Sequence, residues 1–116
     1  MNHSKESNAI FDAVECSKVC SETLDYIDTN GVQADEDLHD LLKDCVKICD
    51  LAADSMDRSS LMHSKICALC AEICDKCADS CERTSIEEQL QRCAEVCRRC
   101  AESCRGMSKF MDKITT

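Results

Sequence analysis

Proline is missing from all 116 residues, and glycine occurs only twice, at Gly31 and Gly106. A chain so poor in turn-forming residues does not suit the loop-rich architecture of small, disulfide-knit secreted domains. Aromatic residues are almost as scarce: Phe11, Tyr26 and Phe110 are the three. A core built around large rings is therefore excluded. No run approaches the roughly 18 continuous apolar residues of a membrane span. The opening stretch MNHSKESNAI has neither the basic nor the apolar region of a secretory signal. A cytoplasmic protein is expected, the alternative being an exported one whose signal peptide has been removed. Positive charge is also in deficit, with a formal net charge of −9. Such a surface repels nucleic acid and anionic membranes and leaves cationic ligands unopposed. An acid–base pair, a phosphate loop and an open metal site with a general base are all lacking, so catalysis is not expected.

Cysteine is what the chain has in excess, at thirteen of 116 residues. Helical periodicity predicts where these cysteines stand. A first helix is expected from about Ser4 to Asn30, where Asn30-Gly31 supplies a left-handed stop. A second is expected from about Asp35 to Asp57, opening on acids that suit a helix N-terminus. A third spans about Ser60 to Glu82, and a fourth runs from Ser85 toward Asp112. Ser85 with Glu88 reads as a capping box, and Gly106 is a point where the fourth helix can fray. The break around Asp57-Arg58-Ser59-Ser60 contains no glycine. It is inferred because one unbroken helix would exceed the usual globular length. Residues 1–116 thus predict one all-α domain, an antiparallel up-down-up-down four-helix bundle.

The cysteines fall in phase on each helix. They are Cys16 and Cys20; Cys45 and Cys49; Cys67, Cys70, Cys74, Cys77 and Cys81; and Cys93, Cys97, Cys100 and Cys104. Neighbours within each set are three or four apart, which puts them on one helical face. Four such stripes turned inward make a column of sulfur, a cysteine-lined core. Core filling explains one or two buried cysteines but not thirteen in phase, because Leu and Ile pack as well without the oxidation hazard. Disulfides between helix neighbours fit poorly, since their Cβ atoms are about 5–6 Å apart. An odd count would also leave one thiol over. Metal binding remains. Thiolate selects Cu(I), zinc or iron–sulfur clusters. Zinc sites normally use isolated groups of four ligands, whereas this ladder is continuous. Bridging thiolates would hold about one Cu(I) per cysteine, and one monovalent cation per thiolate neutralises the column.

Past the last cysteines the same stripes carry Met56, His63, Met107 and Met111, all converging on one end of an antiparallel bundle. These soft, neutral donors are candidate metal ligands at a port. The other end offers Leu24, Ile27, Leu38, Leu41, Leu42, Ile86 and Leu90 as an apolar plug. His3 and His39 are expected at the surface. Ile66, Leu69 and Ile73, with Val46, Ile48, Leu51 and Val96, form apolar positions off the thiol line. They serve either the monomer core or a subunit interface.

CVKICDLAADSM, KICALCAEICDKCADSC and CAEVCRRCAESCRGM resemble the bacterial four-helix-bundle copper-storage proteins, chiefly their cytosolic branch. The resemblance is weaker over the first helix, where cytosolic members carry more cysteines. A count of thirteen is closer to exported members. The resemblance implies a Cu(I) store inside the bundle, a copper donor or acceptor as partner, and a homotetramer. Zinc- or cadmium-binding detoxification and copper delivery by a chaperone are the alternatives.

Overall fold

The computed structural model describes the backbone of residues 2–115 and the side chains of residues 5–108. Four helices and no strand are present among the described residues: α1 (Asn2–Asn30), α2 (Leu38–Asp57), α3 (His63–Thr84) and α4 (Glu88–Thr115). Each packs on its neighbours in a ring, α1 on α2, α2 on α3, α3 on α4 and α4 back on α1. Side-chain bonds show the α1–α4 pair to be antiparallel. Tyr26 donates to Glu87, Arg99 to Glu15 and Ser103 to Asp12, so numbering rises on one helix as it falls on the other. The bundle measures 47 × 19 × 18 Å, close to the length of one 28-residue helix at about 1.5 Å per residue.

The helix ends follow local chemistry, with shifts from the sequence expectation. Gly31 ends α1 at φ +62°, and the Val32 amide reaches back to the Ile27 carbonyl at 3.2 Å, a Schellman closure. The α2–α3 break is the same motif without glycine. Ser59 stands at φ +53°, with bonds from Ser59 to Met56 (3.1 Å) and from Ser60 to Ser55 (2.8 Å). α2 begins at Leu38 rather than Asp35, because Asp35 is engaged elsewhere. Its amide donates to Thr84 Oγ1, and its carboxylate takes bonds from Ser80 and Arg83, clasping the α1–α2 loop to the end of α3. Arg83 and Ser80 hold that carboxyl below its usual range. α3 begins at His63, not Ser60, since Ser55 and Met56 use residues 59–60 to close α2.

α4 begins at Glu88 rather than Ser85. Ser85 Oγ accepts the Glu87 amide at 3.0 Å, a two-residue turn in place of the expected box with Glu88. α4 continues through Gly106 to Thr115. Ionic contacts such as Arg98 with Asp79 and Glu82, and Arg105 with Asp75, tie α4 to α3 at the surface. Being exposed, they fix register more than they add stability.

Candidate metal centre

Every cysteine is fully buried and none is in a disulfide. The inward turn of four stripes has a simple cause. On each helix the alternative faces carry Lys, Arg, Asp and Glu, so the stripe of Cys and Ala is the face that water can leave at least cost. Small residues then let the helices approach closely. Ala52, Ala71, Ala78, Ala94 and Ala101 are buried beside the thiols.

The middle layer holds one sulfur from each helix. Cys16 lies 3.8 Å from Cys45 and 3.6 Å from Cys97, and Cys45 lies 3.6 Å from Cys74. Cys16 and Cys74 reach across the diagonal at 4.0 Å, so the interior is about one sulfur wide. Toward one end, Cys20 approaches Cys93 (3.8 Å) and Cys97 (3.6 Å), with Cys77 in the same group. Toward the other, Cys49 approaches Cys70 (3.7 Å) and Cys100 (3.9 Å), and Cys100 approaches Cys104 (3.9 Å). Cys67 and Cys81 stand at the two ends and belong to none of the tight groups.

Four sets of sulfurs lie mutually within 4.8 Å: Cys16/Cys49/Cys74/Cys100, Cys16/Cys20/Cys45/Cys97, Cys20/Cys77/Cys93/Cys97 and Cys70/Cys100/Cys104. They share members, so the thiols form one continuous ladder and not separate cages. Cys20 and Cys97 are held well above the ordinary thiol range, first by hydrogen bonds with Cys16 and others in the column and then by burial. A soft cation entering here must displace protons.

At the Met/His end, Met56, Met107 and His63 are all buried. His63 Nδ1–H donates to the Ser60 carbonyl at 3.0 Å, which leaves Nε2 as the ring nitrogen open to another partner. That nitrogen is buried and has no hydrogen-bond partner among the described residues. A buried imidazole nitrogen without a partner is costly unless something else binds it. Met111 lies outside the residues whose side chains are described, as does His3. His39 is exposed and pairs with Asp28 at 3.3 Å.

The opposite end is closed by Ile27, Leu38, Leu42 and Leu90, all buried, with Leu24 and Leu41 packed against them. Ile86 does not belong to this plug. It is 90% exposed, because the later start of α4 leaves it in the connecting turn. Sequence reasoning also missed Thr23, three residues past Cys20. It is buried among the plug residues, donating to the Val19 carbonyl and accepting from Gln89. Ala9 and Ala13 were missed as well. They continue the α1 stripe toward the Met/His end with no ligand atom, and both are fully buried.

Of the off-line apolar residues, Ile48 and Val96 are buried, and Val46, Ile66 and Ile73 pack against the core. Leu51 and Leu69 remain largely exposed, as do Phe11 and Val14 on α1.

A family model described as "Csp: Copper storage protein" matches residues 2–109. Among solved structures, the Nmul_A1745 protein from Nitrosospira multiformis is similar at 29% identity over 93% of this chain and 98% of its own, with a TM-score of 0.83. A Cu(I)-bound copper storage protein, BsCsp3, is similar at 30% identity over 90% and 98% of the two chains, with a TM-score of 0.80. Apo copper storage protein 3 from Bacillus subtilis is similar at 31% identity over 88% and 97%, with a TM-score of 0.73. No curated protein sequence matches.

Proposed function

This chain belongs to the copper storage protein family, and from that premise we propose that its sulfur column stores Cu(I), about one ion per cysteine. The observation that carries this reading is the continuous ladder of free, fully buried thiols at 3.6–4.0 Å spacing. Two- and three-coordinate Cu(I) accepts bridging thiolates, so shared sulfurs are an advantage for this ion. Each ion taken up replaces a thiol proton and leaves the column neutral. All thirteen cysteines serve as ligands, and residues 1–116 act as one storage domain.

Zinc is the second reading, and one observation favours it. A tetrahedral site with zinc–sulfur bonds of about 2.3 Å has edges near 3.8 Å, and the sulfur quartets come close to that. Charge weighs against it. Four thiolates around one divalent ion leave two negative charges in a dry interior, with no buried Lys or Arg among the described residues to meet them. An anaerobic titration of the reduced protein with Cu(I) and Zn(II) tests both. About thirteen Cu(I) retained against a competing chelator is the expected result. Saturation at three or four ions, or tighter retention of Zn(II), rejects storage of copper.

Ions enter at the Met/His end. His63 Nε2 supports this, as do the buried thioethers of Met56 and Met107, which continue the thiol stripes of α2 and α4. A donor or acceptor of copper meets the protein there. The exposed Leu51 and Leu69 on one face and Phe11 and Val14 on another supply two apolar surfaces, which suits assembly with further copies of the chain into a tetramer. No described helix is long and apolar enough to cross a membrane, and we place the protein in the cytoplasm.

A further inference from the structure

The sulfur column thins toward the Met/His end. Its middle layer takes a thiol from every helix, Cys16, Cys45, Cys74 and Cys97, joined by approaches of 3.6–4.0 Å. One turn nearer the Met/His end, Cys49, Cys70 and Cys100 meet at 3.7–4.0 Å, without a sulfur from α1. A further turn out, Cys67 and Cys104 are the thiols, and neither α1 nor α2 supplies one. The register shows what stands in their place. The α1–α4 pairs Cys20–Cys93, Cys16–Cys97 and Asp12–Ser103 put Ala13 at the level of Cys100 and Ala9 at the level of Cys104. The α2–α3 pairs Cys45–Cys74 and Cys49–Cys70 put Ala52 at the level of Cys67. Ala9, Ala13 and Ala52 are fully buried and in phase with the thiols of their helices. The same register carries Met56 to the level of His63, where no thiol remains. The Cys104 thiol is pushed up by Cys100, Cys67 and Cys70 around it, so Cys67 is still within its reach.

We propose that the store is graded: Cu(I) on Cys67 and Cys104 is an exchangeable pool behind the port, Cu(I) from Cys70 inward is retained, and Ala9 and Ala52 set the difference by withholding two thiols. This rests on the storage reading and names which of the stored ions are traded. Thiolate is the strongest ligand that the chain offers to Cu(I), and each bridging thiolate serves two ions. An ion in the middle layer has sulfur on every side. An ion between Cys67 and Cys104 meets alanine methyls on two sides, with fewer sulfurs to share. Its other neighbours outward are the neutral donors Met56, His63 and Met107. An incoming ligand therefore has fewer bonds to replace there. At the opposite end Cys81 also stands at the edge of the column, but Leu38, Leu42 and Leu90 close that end, so its ion leaves only after those ahead of it.

The test loads the full chain with Cu(I) and mixes it anaerobically with excess bathocuproine disulfonate, whose coloured Cu(I) complex reports release over time. Native protein should lose a minority of its ions in a phase about tenfold or more faster than the rest. Ala52→Cys should slow that phase about tenfold and leave the slow phase as it is. Ala52→Ser, of similar size but without a soft donor, should change neither rate. Cys104→Ser should take amplitude from the fast phase, and Cys74→Ser from the slow one. Circular dichroism shows which variants are folded. A single phase in native protein, or an unaltered fast rate in folded Ala52→Cys, overturns the grading; the second result would mean that the outer ions leave first by position alone. If Ala52→Cys does not fold, the two cysteine variants decide, and loss from the same phase in both overturns the grading. Storage itself is judged separately. Retention of only a few ions by native protein rejects storage, whereas a full load leaving in one phase rejects the grading and spares storage.

Discussion

His63 is the side chain where local chemistry is least self-sufficient. One ring nitrogen is satisfied by the Ser60 carbonyl, and the other is buried with no partner among the described residues. Met56 and Met107 are buried as well, and thioether sulfur makes no strong hydrogen bond. Soft neutral donors bind Cu(I) less tightly than thiolate, which suits a place where an ion binds and then moves inward. Changing Met56, His63, Met107 and Met111 together to Leu should slow loading several-fold while capacity falls by only the few ions held at the mouth. Stopped-flow loading checks this. An unchanged rate places the port elsewhere, and loss of most of the capacity means that these residues organise the whole store. The phasing of these donors was readable from spacing. The tautomer of His63 was not, because it depends on a carbonyl in the turn before α3.

At the scale of the helix, the α2–α3 connection shows how a break forms without its usual residue. Ser59 takes the left-handed conformation that glycine normally fills, and two backbone bonds hold it there. The cost for an L-residue is about 1 kcal/mol or more. Ser59→Gly should therefore stabilise the apo protein, by about 0.5–1 kcal/mol after the larger backbone entropy of glycine is subtracted. Denaturant titration of the reduced apo protein measures it, and destabilisation would show that Ser59 is not strained. The break could be placed from length alone, since a single helix through this region would be too long for a globular bundle. The start of α2 could not be, because Asp35 is diverted by Ser80, Arg83 and Thr84, far away in sequence. Ile86 was misplaced for a related reason. Its fate hung on whether Ser85 or Glu87 precedes the first turn of α4.

For the molecule as a whole, the question is whether the bundle needs its cargo. Zinc fingers fold only with metal, because they have little else to bury. Here Leu38, Leu42, Leu90 and Val19 are buried together with the column of thiols. Uncharged thiols pack as small hydrophobes. The reduced apo protein should therefore give a strongly helical circular dichroism spectrum. Binding of many ions to the folded form alone should then raise its melting temperature well above the apo value. A coil spectrum that turns helical only on adding Cu(I) would contradict this. Exposed Leu51, Leu69, Phe11 and Val14 also belong to this scale. Periodicity marked Leu51 and Leu69 as apolar but could not say whether they face the core or another chain.

The four helices, their antiparallel order and the burial of every cysteine were legible along the chain. These follow from period, length and the exclusion of charge from one face, which are local properties. Packing of the helices settles which sulfurs meet, since the 3.6–4.0 Å approaches depend on how far each helix slides and rotates against the next. It likewise decided that Ala9 and Ala13 extend the column without ligands, that Thr23 sits in the plug, and that Lys5 crosses Gly106. Each is a contact between helices distant in sequence, and spacing along one helix carries no information about its neighbour's register.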